Sequence, residues 1–205
     1  MAECGYSPNM RTLSTIAGQV VESALSIVGI RVGTEEPKHT SEQLTGRVEL
    51  RRYDARIAAE TTVAANQDDA RSEGFRRLAG YIFGKNDRDD SIAMTAPVEQ
   101  SAEATDVGEC WVIRFFMPSK WTMETLPKPN DDRVRLTEVP AETFAVLSFS
   151  GDRGPRAVQV RTTELLEALR ATGFEPSGEP AAWFYDPPWT LPFRRRNEIV
   201  VPVDA

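Results

Sequence analysis

The chain has 205 residues, 40% of them hydrophobic, and a formal net charge of −7. That length is long for one domain and short for two, and the apolar content suffices for a core, so wholesale disorder is excluded. The acidic balance excludes nucleic acid as the main partner, because phosphate binding needs a strongly basic surface. Two cysteines, Cys4 in a tail and Cys110 at the start of an apolar strand, form no disulfide framework and point to a reducing, cytoplasmic setting. His39 is the single histidine, which excludes a His/Cys zinc cluster and a catalytic triad in the core.

From the N-terminus, Leu13, Ile16, Ala17, Val20, Val21, Ala24, Leu25 and Val28 recur at helical spacing, with Gln19 and Glu22 between them. A membrane span needs about 20 mostly apolar residues, and Glu22 interrupts the run. An export signal stays open, because Met10–Arg11 precedes the run, although no A-x-A site follows it. The preferred reading is an amphipathic helix. Residues 11–30 would then pack on the domain, on a membrane surface or on a second copy in a homodimer. Gly33 to Gln43 reads as a polar linker, so residues 1–45 form an N-terminal helix and linker and 46–205 the domain.

Within the domain, Val48 to Val63 and Val134 to Phe149 look alike, 134 − 48 = 86 residues apart. Each reads as a strand, a tight turn (Asp54–Ala55 or Pro140–Ala141) and a second strand, hence a β-hairpin. A helix follows each: Asp69 to Phe83, stopped by Gly84, and Pro155 to Ala171, stopped by Gly173. Proline-broken strands come next, Ile92 to Val98 and Trp183 to Pro188, and closing strands at Cys110 to Met117 and Glu198 to Val203. Gln100 to Gly108 reads as a polar loop, and Pro118 to Asp132 as a longer one carrying Trp121 and Met123. The order is ββαββ twice, about 47–117 and 133–203. It predicts an α+β fold, a distorted antiparallel barrel from two pseudo-repeats with two flanking helices.

The late loop, Trp183 to Glu198, holds five aromatics and three prolines in sixteen residues and ends in Arg194, Arg195 and Arg196. Prolines lower the entropy lost on ordering. Aromatic faces suit a flat apolar ligand, and arginines suit its carboxylates. A loop that merely caps the sheet has the same composition. The first helix is ambiguous in the same way. Its stripe Phe75, Leu78, Ala79 and Ile82 reads as core, yet Arg71, Arg76, Arg77 and Lys85 flank it, and Gly74 and Gly80 would admit a close approach. Enzymatic readings find no carboxylate pair singled out by spacing among Glu60, Glu99, Asp186 and Glu198, and no phosphate loop.

Glu49-Leu-Arg-Arg-Tyr53, Gly74-Phe-Arg-Arg-Leu-Ala-Gly-Tyr-Ile-Phe-Gly-Lys-Asn86, Ile92-Ala-Met-Thr-Ala-Pro-Val98, Phe115-Phe-Met-Pro118, Trp183-Phe-Tyr-Asp-Pro-Pro188 and Arg195-Arg-Asn-Glu198 together resemble the SOUL haem-binding protein family. The resemblance runs from about Glu49 to Val203. It implies a distorted barrel with two helices and reversible, noncovalent binding of haem or protoporphyrin between the first helix and the late loop. Carried over by motif position, that points to Phe75, Ala79, Gly80 and Tyr185. Stripe geometry and loop chemistry add Leu78, Ile82, Trp189 and Arg194. Some members carry a histidine just before the tyrosine that ends the first strand; here Arg52 stands there. Tyr185, Tyr53 and Met94 are then the weaker candidates for a metal ligand. Two other readings stay open: an effector-binding module of the gyrase-inhibitor type, and a hydrolase using a Glu/Tyr pair in the same groove.

Overall fold

The computed structural model describes residues 34–103 and 109–204; the N-terminal helix expected from the sequence lies outside them. Nine strands and two helices follow in the order β1 (His39–Thr45), β2 (Val48–Tyr53), β3 (Arg56–Ala64), α1 (Gln67–Ile82), β4 (Val98–Glu103), β5 (Cys110–Phe116), β6 (Arg135–Val139), β7 (Glu142–Phe149), α2 (Pro155–Thr172), β8 (Ala181–Phe184) and β9 (Asn197–Pro202). The strands form one strongly curled antiparallel sheet, a half-barrel with the order β1-β2-β7-β9-β8-β4-β5-β3-β6. The expected α+β distorted barrel is therefore present.

The pairing is not the one the local pattern predicts. β2 and β3 do not form a hairpin, and neither do β6 and β7. β2 pairs with β7 (Leu50↔Ala145) and β6 pairs with β3 (Leu136↔Ala59). Each half thus lends its first strand to the other. Read outward from the β8–β4 junction, one side runs β4-β5-β3-β6 and the other β8-β9-β7-β2. The turns at Asp54–Ala55 and Pro140–Ala141 carry the chain between halves rather than folding it back.

Two further segments differ from expectation. Residues 39–45, read as linker, form the edge strand β1, with His39 opposite Tyr53. Just before them, Glu35 bridges to Thr95, and its carbonyl accepts from Ala96 N at 2.9 Å. The strand expected at Ile92 to Val98 begins only at Val98 and runs into residues read as loop. Pro97, which cannot donate to a ladder, sits at its start in a cis peptide with Ala96.

Local chemistry explains both helices. Asn66 caps α1, its Oδ1 accepting from Asp69 N at 3.0 Å, with Asp68 and Asp69 at the positive end of the dipole. Pro155 opens α2, and Gly173, at φ 78°, closes it in the left-handed conformation. α1 buries Ala70, Gly74, Leu78, Tyr81 and Ile82. Gly74 faces the sheet so closely that an added Cβ would lie 2.3 Å from Ile113 Cγ1. A side chain there would hold the helix off β5.

Strand alternation sorts the core by face. On one face, α2 packs its Leu165 and Leu169 on Leu50, Leu147 and Ile199. On the same face, α1 packs Leu78, Tyr81 and Ile82 on Ala59, Ile113 and Phe115. The other face carries no helix. It gathers Tyr53, Phe116, Phe144, Trp183 and Tyr185 into an aromatic cluster.

Candidate functional site

The helix-free face is the chemically dense one. Around Trp183, the rings of Tyr53, Phe116 and Phe144 lie 5.5, 5.9 and 5.4 Å away. Two carboxylates stand among them. Glu198, fully buried on β9, accepts both contacts of Arg51 Nη1 (3.1 and 3.0 Å), the Tyr185 hydroxyl (2.7 Å), Arg196 Nε (2.9 Å) and Ser148 Oγ (3.0 Å). Glu99 on β4 accepts from Arg114 Nη1 at 2.7 Å and from Trp183 Nε1 at 2.9 Å, while Glu60 takes the other side of Arg114 at 2.7 Å.

Burial alone would push the Glu198 carboxyl up. The charges of Arg51 and Arg196, with the Tyr185 hydroxyl, outweigh it and hold the group below its ordinary value. Burial and the neighbouring Glu198 charge push the Tyr185 phenol well up. Tyr53 also shifts up, again by burial. Glu198 and Tyr185 do pair, but on the helix-free face and not in the groove beside α1 where the hydrolase reading put a Glu/Tyr pair. A general base works best with a pKa near the operating pH, and Glu198 is moved away from it with its oxygens saturated. Among the described residues, no group of three or more His, Cys, Asp or Glu side chains could hold a metal ion.

The second surface is apolar and exposed. Six large apolar side chains stand out from the described residues, and five lie on two elements: Phe75 (44% exposed) and Phe83 (68%) on α1 and its C-cap, and Trp189 (62%), Leu191 (40%) and Phe193 (69%) on the late loop. Phe75, Ala79 and Phe83 follow at i, i+4 and i+8, one stripe of helix surface. Arg71, one turn before Phe75, ties that helix to the loop. Its guanidinium lies 5.0 Å from the Phe184 ring and its Nη1 reaches Arg153 O at 3.5 Å. Arg153 Nη1 in turn donates to Asp186 O at 2.9 Å, and Gly151 N donates to Pro192 O at 2.8 Å. The loop base is held by Arg195, donating to Thr190 O and Pro188 O, and by Arg196, stacked 3.8 Å from the Tyr185 ring. Pro192–Arg194 forms one 3₁₀ turn that presents Phe193 and Arg194 outward.

The residues singled out in the sequence fall into three groups. Phe75, Trp189 and Arg194 are exposed, and Ala79 and Gly80 half-buried; Gly80 lies under the Lys85 side chain, where an added Cβ would be 3.2 Å from Cδ. Leu78 and Ile82 are wholly buried beneath α1, on its sheet-facing side. Tyr185 belongs to the helix-free cluster, so the sheet stands between it and α1; its neighbour Phe184 is the ring that meets Arg71. Of the metal-ligand candidates, Tyr53 is buried with Tyr185, and Met94 packs half-buried on the α1 side. Arg52 is exposed and ion-paired with Glu42, and the His39 ring lies 4.9 Å from Tyr53. Sequence reasoning missed Phe83, because it sits at the helix end, where Gly84 reads as a stop. Helical spacing from Phe75 would have found it. It also missed Arg51, whose partner Glu198 lies 147 residues away.

Comparison with known proteins places this architecture. The family model for SOUL heme-binding protein matches residues 34–202. Heme-binding protein 2 of Mus musculus is 30% identical over 161 residues, covering 75% of this chain and 77% of that protein. Heme-binding protein 1 of Sus scrofa is 29% identical over 141 residues, covering 64% and 70%. Among solved structures, the EcmrR C-terminal domain superposes with a TM-score of 0.60 over 81% of this chain and 98% of that one, at 12% identity, a likeness of fold alone. On its sequence match and its fold, the chain belongs to the SOUL heme-binding protein family.

Proposed function

We propose that this protein binds haem or another tetrapyrrole reversibly and without covalent attachment, as a carrier or buffer. The ligand would lie on the exposed stripe of α1 and against the late aromatic loop. The observation that carries the reading is the concentration of exposed large apolar side chains on those two elements. Membership of the family, and relatives named as heme-binding proteins, support the ligand class.

Phe75, Ala79, Gly80 and Phe83 form the helix wall and Trp189 with Phe193 the loop wall. Arg194, exposed on the loop, would pair with a propionate, and Arg76, exposed on α1, would do so in exchange for its ion pair with Glu73. Leu78, Ile82 and Tyr185 enter as the side chains that hold the two walls in place from below. Covering half of a porphyrin's apolar faces, roughly 200–300 Å², is worth about 5–8 kcal/mol gross at ~25 cal/mol per Å². Association costs take back much of it, so micromolar or weaker affinity follows. With no histidine on either wall, the macrocycle rather than the iron supplies the affinity.

Titration with haemin and with metal-free protoporphyrin, read by absorbance, tests this. Both should saturate with similar affinity, and haemin should show no sharp low-spin spectrum. Absence of saturable binding by either would remove the proposal. A Phe75→Ala, Trp189→Ala double variant that keeps full affinity would remove the site while leaving the function.

A further inference from the structure

The exposed apolar side chains of α1 and the late loop, Phe75, Phe83, Trp189 and Phe193, are matched in the same sequence by a second apolar stripe. Residues 13–28 lie outside the described residues. Their apolar positions, Leu13, Ile16, Val20 and Ala24 among them, recur at helical spacing. As a helix, they would show one apolar face with Gln19, Glu22 and Ser26 opposite.

The chain enters the domain beside both walls. Glu35 bridges to Thr95, three residues before β4 begins at Val98. Val98 lies opposite Phe115 on one side and Phe184 on the other. The Phe75 ring is 5.3 Å from the Phe115 ring, and the late loop leaves the sheet after Phe184. Glu36 then pairs with Arg196 at 2.9 Å, and Arg196 follows Phe193 by three residues. The entry point and the loop therefore share one end of the sheet. Glu35 follows Val28 by seven residues. Such a stretch reaches about 23–25 Å when extended, whereas Phe193 lies within about 10–11 Å of Arg196 along the chain. The tether is long enough to lay the stripe over the walls.

Composition favours this chain's own surface over a membrane. Helices that lie on membranes carry Lys and Arg on the polar face and Trp or Phe on the other. Residues 12–30 contain no Lys, Arg or aromatic residue. The aromatic side chains stand on the domain instead, where an aliphatic stripe complements them. Connectivity favours the same chain over a second copy. A short tether gives an effective concentration in the millimolar range, which a separate molecule reaches only at millimolar protein.

We infer that residues 13–28 cover the α1 stripe and the tip of the late loop when no ligand is bound, and that a ligand must displace them. The inference rests on the reading of that surface as the tetrapyrrole site and makes the N-terminal segment an internal competitor for it.

The test uses the full chain labelled with ¹⁵N and carrying Leu13→Asp and Val20→Asp, two positions on the apolar face. The Trp189 indole N–H resonance, identified by its loss in Trp189→Phe, should shift from its wild-type position with no ligand present. Protoporphyrin affinity should rise about tenfold, as expected when a segment that occludes the site about nine-tenths of the time is released. Ser26→Asp adds the same charge on the opposite face and should change neither. A double variant that keeps the wild-type Trp189 resonance, or the wild-type protoporphyrin affinity, would overturn the inference and leave the ligand reading standing. A shifted resonance in a protein that binds no protoporphyrin, wild type or variant, would remove the ligand reading and support the docking of the segment. About a hundredfold dilution should leave the wild-type resonance in place, because the effective concentration of a tethered segment does not depend on protein concentration. Movement to the double variant's position on dilution would assign the segment to a second copy. The same movement on adding phosphatidylcholine–phosphatidylserine vesicles would assign it to a membrane. Either result would overturn the contact within one chain.

Discussion

Replacing Glu198 by glutamine puts the role of the helix-free face to a quantitative test. The amide keeps the shape of the carboxylate and removes its charge. Arg51, 5% exposed, then loses its main counter-charge, retaining only Glu49 at 3.0 Å. Whichever way the introduced amide turns, its NH₂ would face Arg51 Nη1, a donor that needs an acceptor. Removing one partner of a buried ion pair costs about 3–5 kcal/mol. For a protein of this size about 2–4 °C of Tm accompanies each kcal/mol, so Glu198→Gln should lower Tm by roughly 6–20 °C. Glu36→Gln, which breaks the half-exposed pair with Arg196, is the control and should cost about 1 kcal/mol or less. Urea unfolding followed by far-UV circular dichroism measures both. The two proteins should also differ in acid. The folded-state pKa of Glu198 is depressed, so its stabilisation is complete above the unfolded carboxyl value of about 4.3 and is lost as pH falls through the lower folded value. The gap between wild type and Glu198→Gln should therefore close below about pH 4. A Glu198→Gln protein within about 1 kcal/mol of wild type at pH 7, or a gap that widens in acid, would refute the assignment of Glu198 as the central ionic strut of that face.

Further expectations follow from single contacts. Gly74→Ala drives a Cβ into Ile113 and should destabilise by about 1–3 kcal/mol despite the better helix propensity of alanine; an unchanged thermal midpoint would mean that α1 does not sit against β5 as described. Asn66→Ala removes the α1 cap and should cost about 1 kcal/mol in urea unfolding. Phe83→Ala takes away exposed apolar surface without disturbing the core, so it should leave Tm within about 2 °C while weakening haemin and protoporphyrin alike, by about threefold to tenfold. Tyr185→Phe deletes one donor to Glu198 and should cost about 1–2 kcal/mol, because Arg51 and Arg196 still hold the carboxylate.

Much of the molecule was legible in the sequence because its signals are local. Alternating apolar residues marked the strands, Gly84, Pro155 and Gly173 bounded the helices, and the family motifs named the class. Local pattern also failed at identifiable places. Residues 39–45 are polar because β1 is an edge strand with its side chains in water, and that made them look like linker. The α1 stripe was read correctly at Leu78 and Ile82 and wrongly at its start. Gly74, not Phe75, faces the sheet, and a glycine carries no hydrophobic signal even where close packing demands it. That single shift decides which side chains are core and which are exposed for a ligand.

By itself the sequence determined the kinds and order of the elements after β1 and the composition of the late loop. Each depends on residues within a few positions of one another. The tertiary structure alone decided partnership. It exchanged β2 and β6 between the halves, placed Arg51 beside Glu198, and turned Tyr185 to the face away from α1. A strand's side-chain period specifies which face is buried but not which strand lies alongside. That choice rests on contacts between residues far apart in the chain, and it separates the saturated, buried side of this sheet from the exposed apolar side proposed to hold a ligand.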